Sequence, residues 1–109
     1  MQWKITYFNG KVYGNLMYWP KKILAKYLKT IELMEKEGPD LGMPFTRALG
    51  NGLFEIRVKA QEGIGRAFFC TVIAKEIMIL HSFIKKTSNT PDKELVLAKK
   101  RLGELRKNA

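Results

Sequence analysis

Cysteine and histidine are almost absent from this chain, each occurring once in 109 residues, and each scarcity excludes a class of chemistry. A lone cysteine, Cys70, can form neither an internal disulfide nor a structural zinc site. It sits within an apolar run and away from any helix N-terminus, which reads as a small core residue and not as an activated thiol. One histidine and scattered carboxylates give no metal-ligand spacing, and the glycines fall outside any phosphate-loop pattern, so no metal or nucleotide cofactor is expected. No apolar run approaches the roughly 20 residues of a spanning helix, which makes a membrane the weakest of the anionic partners, and none is expected. The opening MQWKITYF alternates like a strand and lacks the apolar core and cleavage site of a secretory signal, so a cytoplasmic protein is expected. Acidic residues are also scarce: 10 Asp and Glu face 20 Lys and Arg, for a formal net charge of +10. That imbalance favours an anionic partner, nucleic acid first and an acidic protein second.

The length fits one domain, residues 1–109, with enough chain to bury a core without staples. Its centre is the stretch from Gly52 to Thr87, which reads as a meander of three strands. In Leu53 to Ala60 a period of two sends Phe54, Ile56 and Val58 to one face and Glu55, Arg57 and Lys59 to the other, so one face builds core and the other carries charge. Gln61, Glu62 and Gly63 supply a turn, after which Ile64 to Ile73 places Arg66 on the same side as Phe68 and Cys70. A reversal at Lys75 and Glu76 leads into Ile77 to Ile84, a nearly continuous apolar run suited to a strand buried on both faces. The run ends on Lys85, Lys86 and Thr87.

Before the meander, Trp3, Ile5 and Tyr7 alternate with Lys4, Thr6 and Phe8, predicting a strand at a sheet edge or beside the last strand. Lys11 to Trp19 carries helical spacing weakened by Gly14. Pro20 then opens an amphipathic helix whose apolar stripe is Ile23, Tyr27, Ile31 and Met34, closed by Gly38-Pro39. The lysines of its first half read as a solvated face or as phosphate contacts. Asp40 to Gly52 reads as a loop. After the meander, Thr90-Pro91 resembles a cap and first helical residue, and Leu95, Ala98, Leu102 and Leu105 make the stripe of a final helix. Its outward residues are Lys99, Lys100, Arg101, Arg106 and Lys107. The predicted class is α+β: a small, mostly antiparallel four-stranded sheet with one or two N-terminal helices and a C-terminal helix.

The succession GLFEIR, GRAFF and LHSFIKKT, followed by TP and a helix, closely resembles the HigB-like, phage-derived branch of the RelE/ParE toxin superfamily. The likeness covers most of the chain and is strongest from Leu49 to Ala98. It implies a RelE-like fold and a cognate antitoxin, often of helix-turn-helix type, with a toxin–antitoxin heterotetramer as one assembly. It also implies one of three functions: an endoribonuclease acting on messenger RNA on the ribosome, a ParE-like inhibitor of DNA gyrase without enzymatic chemistry, or a nucleic-acid-binding module without activity. Fold alone does not choose among them.

Metal-free RNA cleavage by a ribose 2′-hydroxyl needs a proton acceptor, stabilisation of negative charge on the phosphoryl oxygens and help for the leaving 5′-oxygen. The resemblance matches Arg57 and Arg66 to basic positions of ribonucleolytic relatives, for phosphate and transition-state stabilisation. It brings Lys59, Lys85 and Lys86 near positions suited to proton transfer or substrate positioning. The chain departs from the best-known RelE pattern at Glu55, where that pattern has a lysine. It departs again after the last strand, where Ser88, Asn89, Thr90 and Asp92 stand and no tyrosine occurs. His81 is the one histidine available to a HigB-like mechanism. It reads otherwise as a hydrogen-bonded, partly buried side chain, and Glu55 reads otherwise as the ion-pair partner of an arginine.

Overall fold

A computed structural model of the chain describes residues 2–85 and 92–107. In chain order the elements are β1 (Lys4–Tyr7), α1 (Gly10–Met17), α2 (Lys21–Glu37), β2 (Thr46–Gly50), β3 (Leu53–Ala60), β4 (Gly63–Val72), β5 (Glu76–Lys85) and α3 (Asp92–Lys107). The strands form one sheet in the order β1-β5-β4-β3-β2. All neighbours are antiparallel except β1, which lies at the edge and runs parallel to β5.

The sheet has five strands where four were expected. The extra strand is β2, inside the segment read as a loop. Thr46 pairs with Ile56 and Gly50 with Leu53, and Asn51-Gly52 turns the chain between them with φ of 55° and 83°. Positive φ at both central residues is the requirement of the tight hairpin turn for which Asn-Gly is the preferred dipeptide.

Each face of the sheet carries its own core. On one face, Ile56 and Val58 of β3, Ala67 and Phe69 of β4 and Ile77 and Ile79 of β5 meet Val12 and Leu16 of α1 and the α2 stripe of Ile23, Tyr27, Ile31 and Met34. Asn9 starts α1 by accepting from the Val12 amide at 2.9 Å, and Gly38, with φ of 96°, ends α2. The Tyr7 and Tyr27 hydroxyls share a 2.8 Å hydrogen bond beneath α2, and burial pushes both phenols up from their ordinary pKa. The opposite face buries Leu53, Phe68, Cys70 and Leu80 against Ala98 and Leu102 of α3. Burial likewise raises the Cys70 thiol, as a core cysteine requires.

One irregularity decides what the second face displays. Phe68 pairs with His81 but Phe69 pairs with Ile79, so Leu80 is an extra residue on β5. Such a bulge reverses the alternation beyond it. Ile77 and Ile79 point into the first core, whereas His81, Phe83 and Lys85 fall in rows with Phe68, Arg66 and Ile64 on the opposite face. No residue of β5 is exposed, so the strand is covered on both faces as expected, but its outer half faces the cations of β3 and β4.

Candidate functional site

Three cross-strand rows build this surface. Arg57 of β3 stands directly opposite Arg66 of β4, which stands opposite Phe83 of β5. On one side lies the row Lys59, Ile64 and Lys85; on the other lies Glu55, Phe68 and His81, extended by Arg47 of β2. Five of the six residues singled out from the sequence thus come onto one sheet face. The sixth, Lys86, lies outside the described residues, as do Thr87, Ser88, Asn89 and the Thr90-Pro91 cap.

Their environments differ. Arg66 is 4% exposed, and its Nη1 donates to Glu55 Oε2 at 3.0 Å. Glu55 is equally buried, and its other oxygen lies 3.3 Å from Nη2 of the more exposed Arg47. A cationic row would repel itself on a flat surface, and this shared carboxylate offsets part of that repulsion. It also restricts the Arg66 guanidinium to one orientation. Arg57 is half-buried and Lys59 is exposed, while the Lys59 carbonyl accepts from Lys26 Nζ of α2.

Lys85 is the unusual member. It is 7% exposed, and among the described residues its ammonium nitrogen has no hydrogen-bond partner. Burial holds its pKa below the ordinary lysine value, Arg66 and Arg57 depress it further, and Glu55 opposes them. The same four residues are thus electrostatically one group. A lysine in such a setting loses its proton more readily than one in water, which suits it to proton transfer.

His81 has a different engagement. Its Nε2–H donates to Glu94 Oε1 in the first turn of α3 at 2.8 Å, and its ring completes a triangle with Phe68 and Phe83, at centroid distances of 6.5 and 6.0 Å. The second reading of His81, a partly buried and hydrogen-bonded ring, describes this arrangement. Arg101 requires a correction to the predicted outer face of α3. Its Nη1 turns inward and donates to the Leu80 carbonyl at 2.7 Å, with its guanidinium 5.2 Å from the Phe8 ring centre. Arg106 likewise reaches the Asn51 carbonyl at the β2–β3 turn.

Three contributors to the site, Arg47, Glu94 and Arg101, are not evident as such in the sequence. Arg47 carries a partial signal, because Asn51-Gly52 ahead of the alternating Leu53 to Ala60 fits a hairpin turn that would place it beside Glu55. The other two depend on where α3 crosses the sheet, which no local pattern encodes. No cluster of three His, Cys, Asp or Glu side chains able to hold a metal ion occurs among the described residues. None of the described helices is long and apolar enough to cross a membrane.

This five-stranded sheet, with two N-terminal helices on one face and a C-terminal helix on the other, is similar in fold to solved RelE structures. A double arginine-to-alanine mutant of E. coli toxin RelE in the free state matches with a TM-score of 0.62, covering 93% of this chain and 98% of that one at 11% identity. The archaeal RelE-RelB complex from Pyrococcus horikoshii OT3 matches with a TM-score of 0.56, covering 77% of this chain and 96% of that one at 19% identity. At such identities the likeness establishes the fold. The family described as phage-derived protein Gp49-like matches residues 15–103, and the chain belongs to that family. No curated protein matches it.

Proposed function

We propose that this chain is the toxin of a type II toxin–antitoxin pair and that it cleaves messenger RNA on the ribosome by attack of a 2′-hydroxyl on the adjacent phosphate. The fold it shares with a RelE toxin and with the RelE of a RelE-RelB complex supports the toxin reading. The observation that carries the chemistry is the Arg57–Arg66 pair beside Lys85, whose buried amine is held below its ordinary pKa.

In this mechanism Arg57 binds the scissile phosphate, and Arg66, oriented by Glu55, stabilises the charge that develops on its oxygens. Lys85 relays a proton between the attacking 2′-hydroxyl and the leaving 5′-oxygen. Lys59 and Lys86 steer the strand toward the rows, and His81 holds the first turn of α3 against the wall of the site. The chain itself supplies every donor these steps need. The partner that silences it is an antitoxin whose acidic or amphipathic segment covers the same cations, with binding that weakens as salt rises.

The test is in vitro translation of a defined message with primer extension to map cuts, run beside a gyrase supercoiling assay. Arg57→Ala is the cleaner variant, because Arg57 is half-buried whereas Arg66 is enclosed with its carboxylate. Cuts in translated codons that fall about a hundredfold or more with Arg57→Ala, with gyrase unaffected, are the expected result. Uncut message with inhibited supercoiling assigns the chain to gyrase instead.

A further inference from the structure

Next to the cationic rows, the structure has a groove that the mechanism above does not use. It runs between α2 and the edge of β3 that continues past Ile56, where the pairing with β2 stops. Its volume is about 680 Å³, within the range of small-molecule and nucleotide sites. Its ten lining residues include four cations, Lys26, Lys29, Arg57 and Lys59, and no acid. Most of its wall is nevertheless apolar. Leu33 of α2 and the segment from Met43 to Phe45 supply that surface, and Met43 and Phe45 are 63% and 43% exposed.

An apolar wall carrying an exposed aromatic ring, edged by lysines, is what a single-stranded nucleotide requires: a flat face for the base and cations for the phosphate. We infer that this groove is a second RNA subsite, which takes a nucleotide flanking the scissile phosphate, its base on Phe45 and its phosphate between Lys29 and Lys59. The inference rests on the ribonuclease reading for the strand that enters it. An acidic amphipathic peptide would meet the same charges. RNA is favoured because the groove continues into the cleavage rows: Arg57 lines it while standing opposite Arg66, and Lys59 lines it while sharing a row with Lys85. A strand bound across Arg57 therefore has its neighbouring nucleotide at the mouth of the groove.

The probe is a single-stranded RNA oligonucleotide carrying 4-thiouridine, photo-crosslinked to the full chain and mapped by mass spectrometry, with affinity measured by fluorescence anisotropy. Crosslinks at 43–45 are expected, together with affinity about tenfold weaker in Phe45→Ala and Lys29→Glu, the loss of one base stack or one phosphate contact. Both side chains lie at the surface, so circular dichroism should match the parent. Crosslinks confined to β3 and β4, with parental affinity in both variants, overturn the subsite and leave the ribonuclease reading standing. Crosslinks at 43–45 in a protein that cuts no message keep the subsite and remove that reading. If a synthetic acidic amphipathic peptide protects the groove from hydrogen exchange and RNA does not, the groove belongs to a protein partner and the subsite is overturned.

Discussion

Arg66 and Glu55 form an ion pair 3.0 Å long in which both side chains are almost wholly buried. Glu55 supplies this part of the sheet face with its counter-charge. A lysine there would face Arg66, Arg57 and Lys85 with no counter-charge, whereas Glu55 serves Arg66 with one oxygen and Arg47 with the other. Removing the carboxylate of a buried pair leaves the remaining charge less compensated, at a cost of up to about 3–5 kcal/mol. Glu55→Ala should therefore lower unfolding free energy by about that amount, measured by urea titration, whereas Arg47→Ala, whose side chain is largely solvated, should lose less than about 1 kcal/mol. Equal small losses in both would show that the pair contributes little to the fold.

Much of this site is legible in the amino-acid sequence. The period of two in β3 assigns Glu55, Arg57 and Lys59 to one face, and the same reasoning places Arg66 with Phe68 on β4. Adjacent strands with matched alternation must bring such residues together once their register is set. What the pattern does not contain is the bulge at Leu80. An extra residue in an apolar run leaves no mark on composition, yet it moves His81, Phe83 and Lys85 to the cationic face. The strand β2 is hidden for another reason. Its five residues show little alternation, and the glycines around Asn51 suit a flexible loop as well as a hairpin turn.

Gly65 offers a test of the packing of α2 on the sheet. It lies on β4 between Val58 and Ile84, and a Cβ added there would stand 2.7 Å from the Trp19 ring and 2.8 Å from Ile23. Both neighbours belong to the first core and have little room to retreat. Gly65→Ala should cost about 1–3 kcal/mol by overpacking, although alanine suits a strand better than glycine in the abstract. Thermal denaturation with an unchanged or higher midpoint would show that Trp19 and Ile23 do not sit against this strand.

Arg101 tests the bulge. The Leu80 carbonyl, displaced from the regular ladder, accepts from its guanidinium. Arg101→Leu keeps much of the apolar contact with Phe8 but leaves that carbonyl without the donor, at about 1–3 kcal/mol. Amide exchange around Leu80 and His81 should accelerate, and RNA cleavage should fall because the bulge sets the facing of Lys85. Lys99→Ala and Lys100→Ala, on the exposed side of the same helix, should change stability by less than about 0.5 kcal/mol. If all three variants behave alike, Arg101 is an ordinary surface residue.

Lys85 yields a prediction about pH whose sign follows from its depressed pKa. The folded state disfavours the ammonium relative to the unfolded chain, where the ordinary value of 10.5 applies. Between the folded pKa and 10.5 the unfolded state binds more protons, so this residue's contribution makes stability rise with pH across that window. Below the folded pKa both states are protonated and the cost of burying the charge is felt in full. Lys85→Met removes the charge at similar volume, so it should be at least as stable as the parent at neutral pH. Its stability should also climb less between about pH 7 and about pH 10, and the comparison cancels the general relief of positive charge on other lysines. The same variant should lose message cleavage, because methionine transfers no proton, and Lys85→Arg should restore the charge without the activity near neutral pH. A stable Lys85→Met protein that cleaves at the parental rate would place proton transfer elsewhere. Parallel stability–pH curves for parent and variant would mean that Lys85 titrates as it does in the unfolded chain.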